Sequence, residues 1–474
     1  MSAPRFFGIV PPTGRFVRED RCQTPVDGLR TIALRPPIDL MYAAAAFEGA
    51  GAEARLRDYP AEGLGLPEME RDLAAFAPDF VLLSATTLTL EADLRAAARV
   101  RHAVPSAVVA AKGAHFLVHD EAALQRHPAL DLVFRGGEVE EACAEIASGR
   151  PLAQVTGLTV RAGDRVARNP DRAWPLDLDE LPWPARHLAR NELYVRPDTG
   201  EPQTTLVTNR GCPHRCVYCL AGAVSGPANR YRSVGSVLAE MRDCVERHGI
   251  RDFLLRSDLF TQNTAWVMRL CQAIVDSRLP VRWACNSRVD TVSGELLRAM
   301  KAAGCWIVAF GVESGDQGAL DRLEKRARVE DAVSAVRLCR EAGIRSSVYL
   351  LIGLPWDTRE SIAAQGRFAR ELDPDILEVF YPYPFPGTAL RRACVEAGLI
   401  DDGEFPERGY SVPVFPTRSL SLEELRPLRL ELLRRFYLRP RMVVRTFRSA
   451  QSFGQLRGFV RAGLAQLMDF GFAG

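Results

Sequence analysis

The sequence predicts an α/β protein built from two successive β/α series, and three observations carry that prediction. Short apolar runs of strand length alternate with helix-length amphipathic stretches over residues 1–150, and again from about residue 200 to 400. Strands alternating with helices make parallel sheets with crossover connections. The strand-like runs end in Gly, Pro, Ser or Thr, residue types that interrupt regular structure. A chain of 474 residues with 47% hydrophobic and 25% charged positions can bury a sizeable core, and its length suggests about three domains.

The elements follow in order. Phe7–Val10 reads as a strand closed by Pro11-Pro12, and Asp39–Ala50 as a helix behind Pro36-Pro37. Ala52–Leu56 is a strand ended by Asp58-Tyr59-Pro60. Asp79–Ser84 is a buried-type strand and Leu90–Val100 an amphipathic helix. Ala107–Ala111 and Asp131–Phe134 are strands ended by Gly113 and by Gly136-Gly137. Ligands of such sheets bind at the carboxyl ends of the strands. Those ends carry Pro11-Pro12, Ser84–Thr87, Lys112–His115 and Gly136–Glu138. Residues 151–199 read as a small β segment with a turn at Gly163-Asp164, then a linker at Leu181–Pro184, where two prolines deny regular structure. The second series has strands near 205–208, 252–256, 281–285, 306–311, 346–352 and 377–380, separated by helices such as Ser233–His248 and Glu295–Ala303. Eight units close a full barrel; six predict an open, partial one. From 401 to 474 the chain reads as helical and Arg-rich, with Ser421 and Glu424 forming a capping box at the start of a helix over 421–438.

Composition excludes several classes. The net charge is +2, from 61 basic and 59 acidic residues, which is no nucleic-acid signature. Only Lys112, Lys301 and Lys325 among the basic residues are lysines. No apolar run approaches the roughly 18–20 residues that span a bilayer. The first residues reach Pro11-Pro12 before a signal-like core could form, so a cytoplasmic protein is expected. Of eleven cysteines, Cys143, Cys244, Cys271, Cys339 and Cys394 fall in helical patterns and read as small core residues; a disulfide framework is not expected.

Cys212, Cys216 and Cys219 stand apart, as Cys-x3-Cys-x2-Cys in a loop after the strand Thr205–Thr208. Three thiolates so close can take three corners of a [4Fe–4S] cube. Such clusters usually take four cysteines, so an open corner leaves room for an exchangeable ligand. Zinc wants four ligands, and His214 or Cys22 could complete that alternative.

The loop resembles the signature of radical S-adenosylmethionine (SAM) enzymes, Tyr218 before the third cysteine included. Trp283–Asp290, Phe310–Gly315, Leu351–Thr358 and Tyr383–Thr388 occur in the order that family uses. Residues 1–150 are similar to the cobalamin-binding domain that precedes this core in the B12-binding subfamily. The resemblance implies an N-terminal Rossmann-like cobalamin-binding domain (1–150), a small β segment and linker (151–199), a partial (β/α)6 TIM-barrel radical SAM core (200–400) and a helical C-terminal region (401–474). It implies three cofactors: a [4Fe–4S] cluster, SAM and cobalamin.

What the resemblance implies extends to residues. Cys212, Cys216 and Cys219 would ligate the cluster, whose open iron chelates the amino and carboxylate groups of SAM. Tyr218 would lie against adenine. Glu313 and Ser314, at the end of a barrel strand, suit the SAM amino group or a ribose hydroxyl. Asn286 and Arg288 follow another strand, and the Arg fork suits a carboxylate. Ser257 and Asp258 stand at a SAM-contacting segment, although the Gly-Gly-Glu of other branches is absent. Gly353 would let backbone approach adenine closely. Ser84, Thr86, Gly113, His115, Gly136, Gly137 and Glu138 fit positions around the nucleotide tail of cobalamin. Asp-x-His-x-x-Gly is absent, which implies a corrin bound without a His ligand. Lys112-Gly-Ala-His115 stands where Gly-Gly-x-His is common, and Arg135–Glu140 where Gly-Glu-Gly-Glu is common.

The implied activity starts with an electron from a donor such as flavodoxin or ferredoxin. SAM is then cleaved to a 5′-deoxyadenosyl radical, a hydrogen atom leaves an unactivated C–H bond, and methylcobalamin supplies a methyl group to a small-molecule substrate. Oxidative cyclisation or rearrangement without methyl transfer, as in anaerobic magnesium-protoporphyrin ester cyclase, is the alternative. A cobalamin- or zinc-binding sensor is a third reading. Tyr381, Tyr383 and Phe385 are candidates for a substrate cavity. Residues 441–472 interleave apolar side chains with five arginines and one acid, Asp469. That pattern reads either as a basic amphipathic surface for a membrane or greasy substrate or as a helix packed on the barrel with its arginines in water.

Overall fold

The computed structural model describes residues 3–20, 22–26, 34–196, 198–407 and 409–448. Two sheets organise it. The first contains β1 (Arg5–Val10), β2 (Glu53–Asp58), β3 (Phe80–Ser84), β4 (Val108–Lys112), β5 (Leu132–Phe134), β6 (Leu158–Ala162) and β7 (Arg165–Arg168), in the order β2-β1-β3-β4-β5-β6-β7. Its first five strands are parallel and the last two antiparallel. Alternation along these strands covers both faces. Phe6, Leu82, Ala110 and Leu132 pack with the helix Ile38–Gly49 in one cluster, while Phe7, Val81, Leu83, Val109 and Val133 join the other. This is why β3 is buried at every position and reads as a continuous apolar run. Burying each large side chain contributes about 1.5–3 kcal/mol.

The order 2-1-3-4-5 reverses between β1 and β3, the crevice where doubly wound sheets take ligands. The β segment expected within 151–199 is the hairpin β6–β7, and it extends the first sheet rather than standing apart, because β6 completes the open edge of β5. A second hairpin, Phe16–Glu19 with Cys22–Pro25, has no counterpart in the sequence reading.

The second sheet contains β8 (Gln203–Val207), β9 (Asp252–Arg256), β10 (Arg282–Ser287), β11 (Cys305–Glu313), β12 (Arg345–Leu351) and β13 (Ile376–Phe380), all parallel and in sequential order. Six strands in sequence give the predicted open barrel. One face packs on helices through Leu206, Phe253, Trp283, Cys285, Val308, Phe310, Val348 and Leu377. The two-residue period then puts Asn286, Ser347, Tyr349 and Glu378 on the opposite, concave face.

The helix Leu422–Tyr437 carries the expected box: Ser421 N donates to Glu424 Oε2 at 3.0 Å, and Glu424 N donates back to Ser421 Oγ at 3.4 Å. Residues 401–420, read as part of a helical region, contain no helix, since Pro406, Pro413 and Pro416 remove donors and fix φ. The helix Pro440–Arg448 follows. The reading of residues 449–472 lies outside the described residues. No described helix is long and apolar enough to cross a membrane. The ten cysteines other than Cys22 are free thiols, and Cys143, Cys244, Cys271, Cys339 and Cys394 are buried.

Candidate functional site

The cysteine loop leaves the carboxyl end of β8 through a turn that only glycine can make. Gly211 has φ +96°, and a Cβ there would stand 1.9 Å from the Ala228 carbonyl oxygen. Gly211 N donates to Asp258 Oδ2 at 2.7 Å, and Cys212 N to the Gly226 carbonyl at 2.9 Å. Farther along, Val217 N donates to Leu323 O and Leu390 N to Val217 O, so the loop is stitched to two other segments. Ser257 Oγ donates to Asn209 Oδ1, two residues past the end of β8. Ser257 and Asp258, which the resemblance assigned to SAM, therefore hold the base of the loop.

Cys212 is buried with Ala221 and Leu259, Cys216 is half-buried and Cys219 is exposed. Burial pushes the Cys216 thiol up, with Lys325 opposing it. Cys219 Sγ accepts from Ala221 N at 3.4 Å. Among the described residues, no group of three or more His, Cys, Asp or Glu is drawn around a single metal-ion position. The donor set nonetheless suits a cluster: three cysteine side chains graded from buried to exposed on one backbone-anchored loop.

Facing the loop is a compact charged group. Tyr218 Oη donates to Glu313 Oε1 at 2.9 Å, and Lys325 Nζ reaches the same oxygen at 3.0 Å and Tyr218 Oη at 3.2 Å. Glu313 has φ +68° and lies at a register shift between β11 and β12. A non-glycine residue held there costs about 1–3 kcal/mol, of the kind found at functional sites. A Cβ at Gly311 would meet Glu313 Oε1 at 2.4 Å and Lys325 Nζ at 3.0 Å, so glycine makes room for the pair. Arg288, a possible carboxylate ligand by sequence, instead pairs with Asp290 at 2.7 Å and donates to the Lys325 and Arg326 carbonyls. Ser314 is buried and accepts from Gln365 Nε2. Asn286 is half-buried at the end of β10. Gly353 has φ +77° and lies against Tyr381 and Leu425, so its close approach is to protein. Lys325 was missed as a site residue; its signal was being one of three lysines among 61 basic residues.

The carboxyl ends of the first sheet meet this region across a buried ionic network. Lys112 Nζ lies 2.9 Å from Asp20 and 2.8 Å from Asp39, and Asp39 binds Arg256, at the end of β9, at 2.9 Å. Burial alone would raise Asp39; Arg256 and Lys112 overcome it and hold the carboxyl well below the usual range. Glu138, assigned to cobalamin by resemblance, pairs with Arg230 at 3.1 Å, and Arg210 pairs with Glu140 at 2.5 Å. Gly137 N donates to the Val224 carbonyl at 3.1 Å, in the helix that follows the third cysteine. Glu138 and Gly137 thus tie the first sheet's carboxyl end to the segment that follows the cysteine loop. A Cβ at Gly113 would strike the Ala85 carbonyl at 2.2 Å, so this glycine serves packing, whereas Gly136 opens on space.

Ser84 and Thr86 lie at the reversal of strand order. Arg18 donates to the Ser84 carbonyl, and Thr86 N donates to Asp93. Three clefts open at the carboxyl ends of the first sheet. One, within the first domain, is lined by Arg18, Asp58 and Ser84. Another lies at the junction between Asp39, Glu138, Arg256 and Asp258. The third, the roomiest, is lined by Gly136, Arg172, Trp174 and Ala223. Thr24 Oγ1, Thr87 Oγ1 and His115 Nδ1 are buried without a partner here. Buried polar atoms of this kind call for a hydrogen-bonding group, and the place of Thr87 and His115 just past the carboxyl ends of β3 and β4 fits cobalamin. His115 packs on His119 and Phe405 with ring centroids 5.0 and 4.7 Å away, and burial pushes its pKa down to about 3. Tyr383 and Phe385 pack with Leu88, Ala114, Leu220 and Val224, while Tyr381 Oη donates to the Leu425 carbonyl. The aromatics expected in a substrate cavity are therefore split between the junction and the core.

A doubly wound sheet facing an open barrel, with a three-cysteine loop between them, defines the class: a cofactor-binding α/β domain joined to a radical SAM core. Residues 34–147 match the B12 binding domain and residues 206–366 the Radical SAM superfamily. The chain belongs to the B12-binding-domain-containing radical SAM enzymes, and its cofactors, as the two domains imply, are a [4Fe–4S] cluster, SAM and cobalamin. It is 28% identical to an uncharacterized methyltransferase of Pyrococcus horikoshii, over 90% of this chain and 94% of that protein. It is 26% identical to the anaerobic magnesium-protoporphyrin IX monomethyl ester cyclase of Cereibacter sphaeroides, over 93% of this chain and 74% of that one. Its fold is shared with the radical SAM methyltransferase TsrM of Kitasatospora setae, solved with cobalamin and a [4Fe–4S] cluster, at TM-score 0.68 and 20% identity, covering 85% and 81% of the two chains.

Proposed function

We propose that the chain is a cobalamin-dependent radical SAM methyltransferase acting on an unactivated carbon of a small molecule. The observation that carries this is the face-to-face placement of the two sheets' carboxyl ends, joined through Lys112, Asp39 and Arg256. Methyl transfer needs both cofactors at one substrate, and that junction is where both would stand. Bound there, the cluster and SAM supply a radical that removes a hydrogen atom, and cobalamin supplies the methyl group.

The chain's own residues bind and orient. Cys212, Cys216 and Cys219 would hold the cluster. Glu313 and Lys325, opposite in charge and sharing Tyr218, present complementary groups to the amino and carboxylate ends of SAM. Asn286 and Ser314 flank them at strand ends. On the other side, Thr24, Thr87, His115 and Gly136 offer unused hydrogen-bonding groups and space for cobalamin. The apolar cluster around Leu88, Leu220, Tyr383 and Phe385 excludes water from the junction.

The test is anaerobic turnover with dithionite and SAM after cluster and cobalamin loading. A methylated product with both S-adenosylhomocysteine and 5′-deoxyadenosine is expected. The match to the ester cyclase over 93% of the chain favours a second reading, radical oxidation without methyl transfer. 5′-Deoxyadenosine without S-adenosylhomocysteine would select that one.

A further inference from the structure

We propose that the C-terminal arm, from the end of the helix Leu422–Tyr437 onward, docks on an anionic lipid surface. Charge in this chain is strongly segregated. Residues 434–474 contain eight arginines and one acid, Asp469, a surplus of +7; the chain's net charge is +2, so the rest is net −5.

The described part shows how that surplus is displayed. Asp373, which ends the helix Arg359–Leu372, is buried, and four guanidiniums converge on it. Arg439 lies at 3.1 Å, Arg340 at 3.4 Å and Arg441 at 3.5 Å, with Arg445 in contact. Asp375 adds one carboxylate, 3.6 Å from Arg445. Two carboxylates against four arginines leave positive charge directed outward, with Arg441 72% exposed. Beside it, Leu438 and Val444 are about half exposed, at 52% and 47%, while Met442 turns into the core. The surface thus alternates arginine with bare aliphatic side chains, and the sequence beyond continues the alternation through Phe453, Arg457, Phe459 and Arg461.

The alternation selects the partner. Nucleic-acid phosphates would use the arginines and leave Leu438 and Val444 in water. A bilayer uses both, phosphates for the arginines and the acyl boundary for the apolar residues. Each arginine near an anionic leaflet contributes about 1 kcal/mol. An electron donor is a poor occupant, because Asp375 lies at the amino end of β13, about 17 Å of strand from the carboxyl ends that carry the site. The same placement leaves the site open when the arm is docked.

Co-sedimentation of the full chain with phosphatidylcholine vesicles, alone or with 30% phosphatidylglycerol, tests this. Binding to the mixed vesicles at 0.1 M salt and its release at 0.5 M are expected. Arg441→Glu/Arg457→Glu/Arg461→Glu should lower the partition coefficient by at least about tenfold. Leu438→Ser/Val444→Ser should lower it at 0.1 M salt with every arginine in place, an effect charge alone does not give. Both variants should keep the parent's circular dichroism and its SAM cleavage in solution. Failure to pellet with mixed vesicles overturns the proposal. So does a Ser variant that binds as the parent does, or a DNA duplex retaining the Ser variant as tightly as the parent and displacing the vesicles.

Discussion

Lys112→Met removes the ammonium at the centre of the junction and leaves Asp20 without its partner in a setting where both are almost fully buried. Asp39 keeps Arg256, so the orphaned charge is that of Asp20. Removing one partner of a buried pair costs roughly 3–5 kcal/mol. Burial already raises Asp20 above its ordinary 3.8, against the pull of Lys112. In the variant it can shed its charge by taking a proton, which puts the expected loss near the lower bound, about 3 kcal/mol at neutral pH. The sign of the pH dependence follows. The unfolded carboxylate ionises near 3.8, and the buried one resists ionisation, so the loss grows between pH 5 and pH 8. Hydrogen exchange of peptides covering β4 and the helix Ile38–Gly49 reads it locally. About 3 kcal/mol is roughly a hundredfold faster exchange. Asp20→Asn in the Lys112→Met background removes the orphan and should restore most of the protection, a coupling of about 2 kcal/mol. Exchange altered less than fivefold in Lys112→Met, or two substitutions that simply add, would refute the reasoning.

Gly211→Ala should empty the cysteine loop: the new Cβ meets the Ala228 carbonyl at 1.9 Å with φ at +96°, so bound iron should fall several-fold after reconstitution while far-ultraviolet circular dichroism stays unchanged. Lys325→Met leaves Glu313 with Tyr218 alone; a lost charged hydrogen bond of about 1.5–3 kcal/mol corresponds to roughly a 10- to 150-fold loss of SAM affinity by equilibrium dialysis, with cluster absorbance intact. His115, pushed down to about 3 by burial and His119, contributes stability that is complete above 6.5 and lost as pH falls toward 3. Between pH 7 and pH 5 the parent should lose about 2 kcal/mol more than His115→Phe in the first urea transition.

The parallel strands were legible because each is a short apolar run punctuated by Gly or Pro, and those of both sheets fall within a few residues of their predicted places. The hairpin Phe16–Glu19/Cys22–Pro25 was not, since Arg18, Glu19 and Gln23 break the alternation in order to bond Asp93, Arg35 and Asp20. The C-terminal region is helical as read from Leu422 on, and only residues 401–420 depart from that reading, at their prolines. At the site, spacing singles out the three cysteines and a strand end singles out Glu313; the fold sets Tyr218 of the cysteine loop against that carboxylate. For Gly137, Glu138 and Asp258 the sequence shows that a strand ends nearby, and only the fold shows the protein partners, Val224, Arg230 and Gly211.

The lysines carry the same lesson one step further. In a chain that otherwise uses arginine, two of three lysines are buried, Lys112 between Asp20 and Asp39 and Lys325 between Glu313 and Tyr218. Each reaches two oxygens on separate residues at about 3 Å from one nitrogen. A compact ammonium with rotatable donors can do that, whereas a planar guanidinium, suited to both oxygens of one carboxylate, needs more room than either place offers. At Lys325 that limit is visible, because Gly311 already gives up its side chain to admit the ammonium. Each lysine also stands beside the carboxyl end of a different sheet, one above the cobalamin-side strands and one beside the cysteine loop. The residues that hold charge at the two cofactor faces are therefore chosen for size as much as sign, and rarity within the sequence is what marks them.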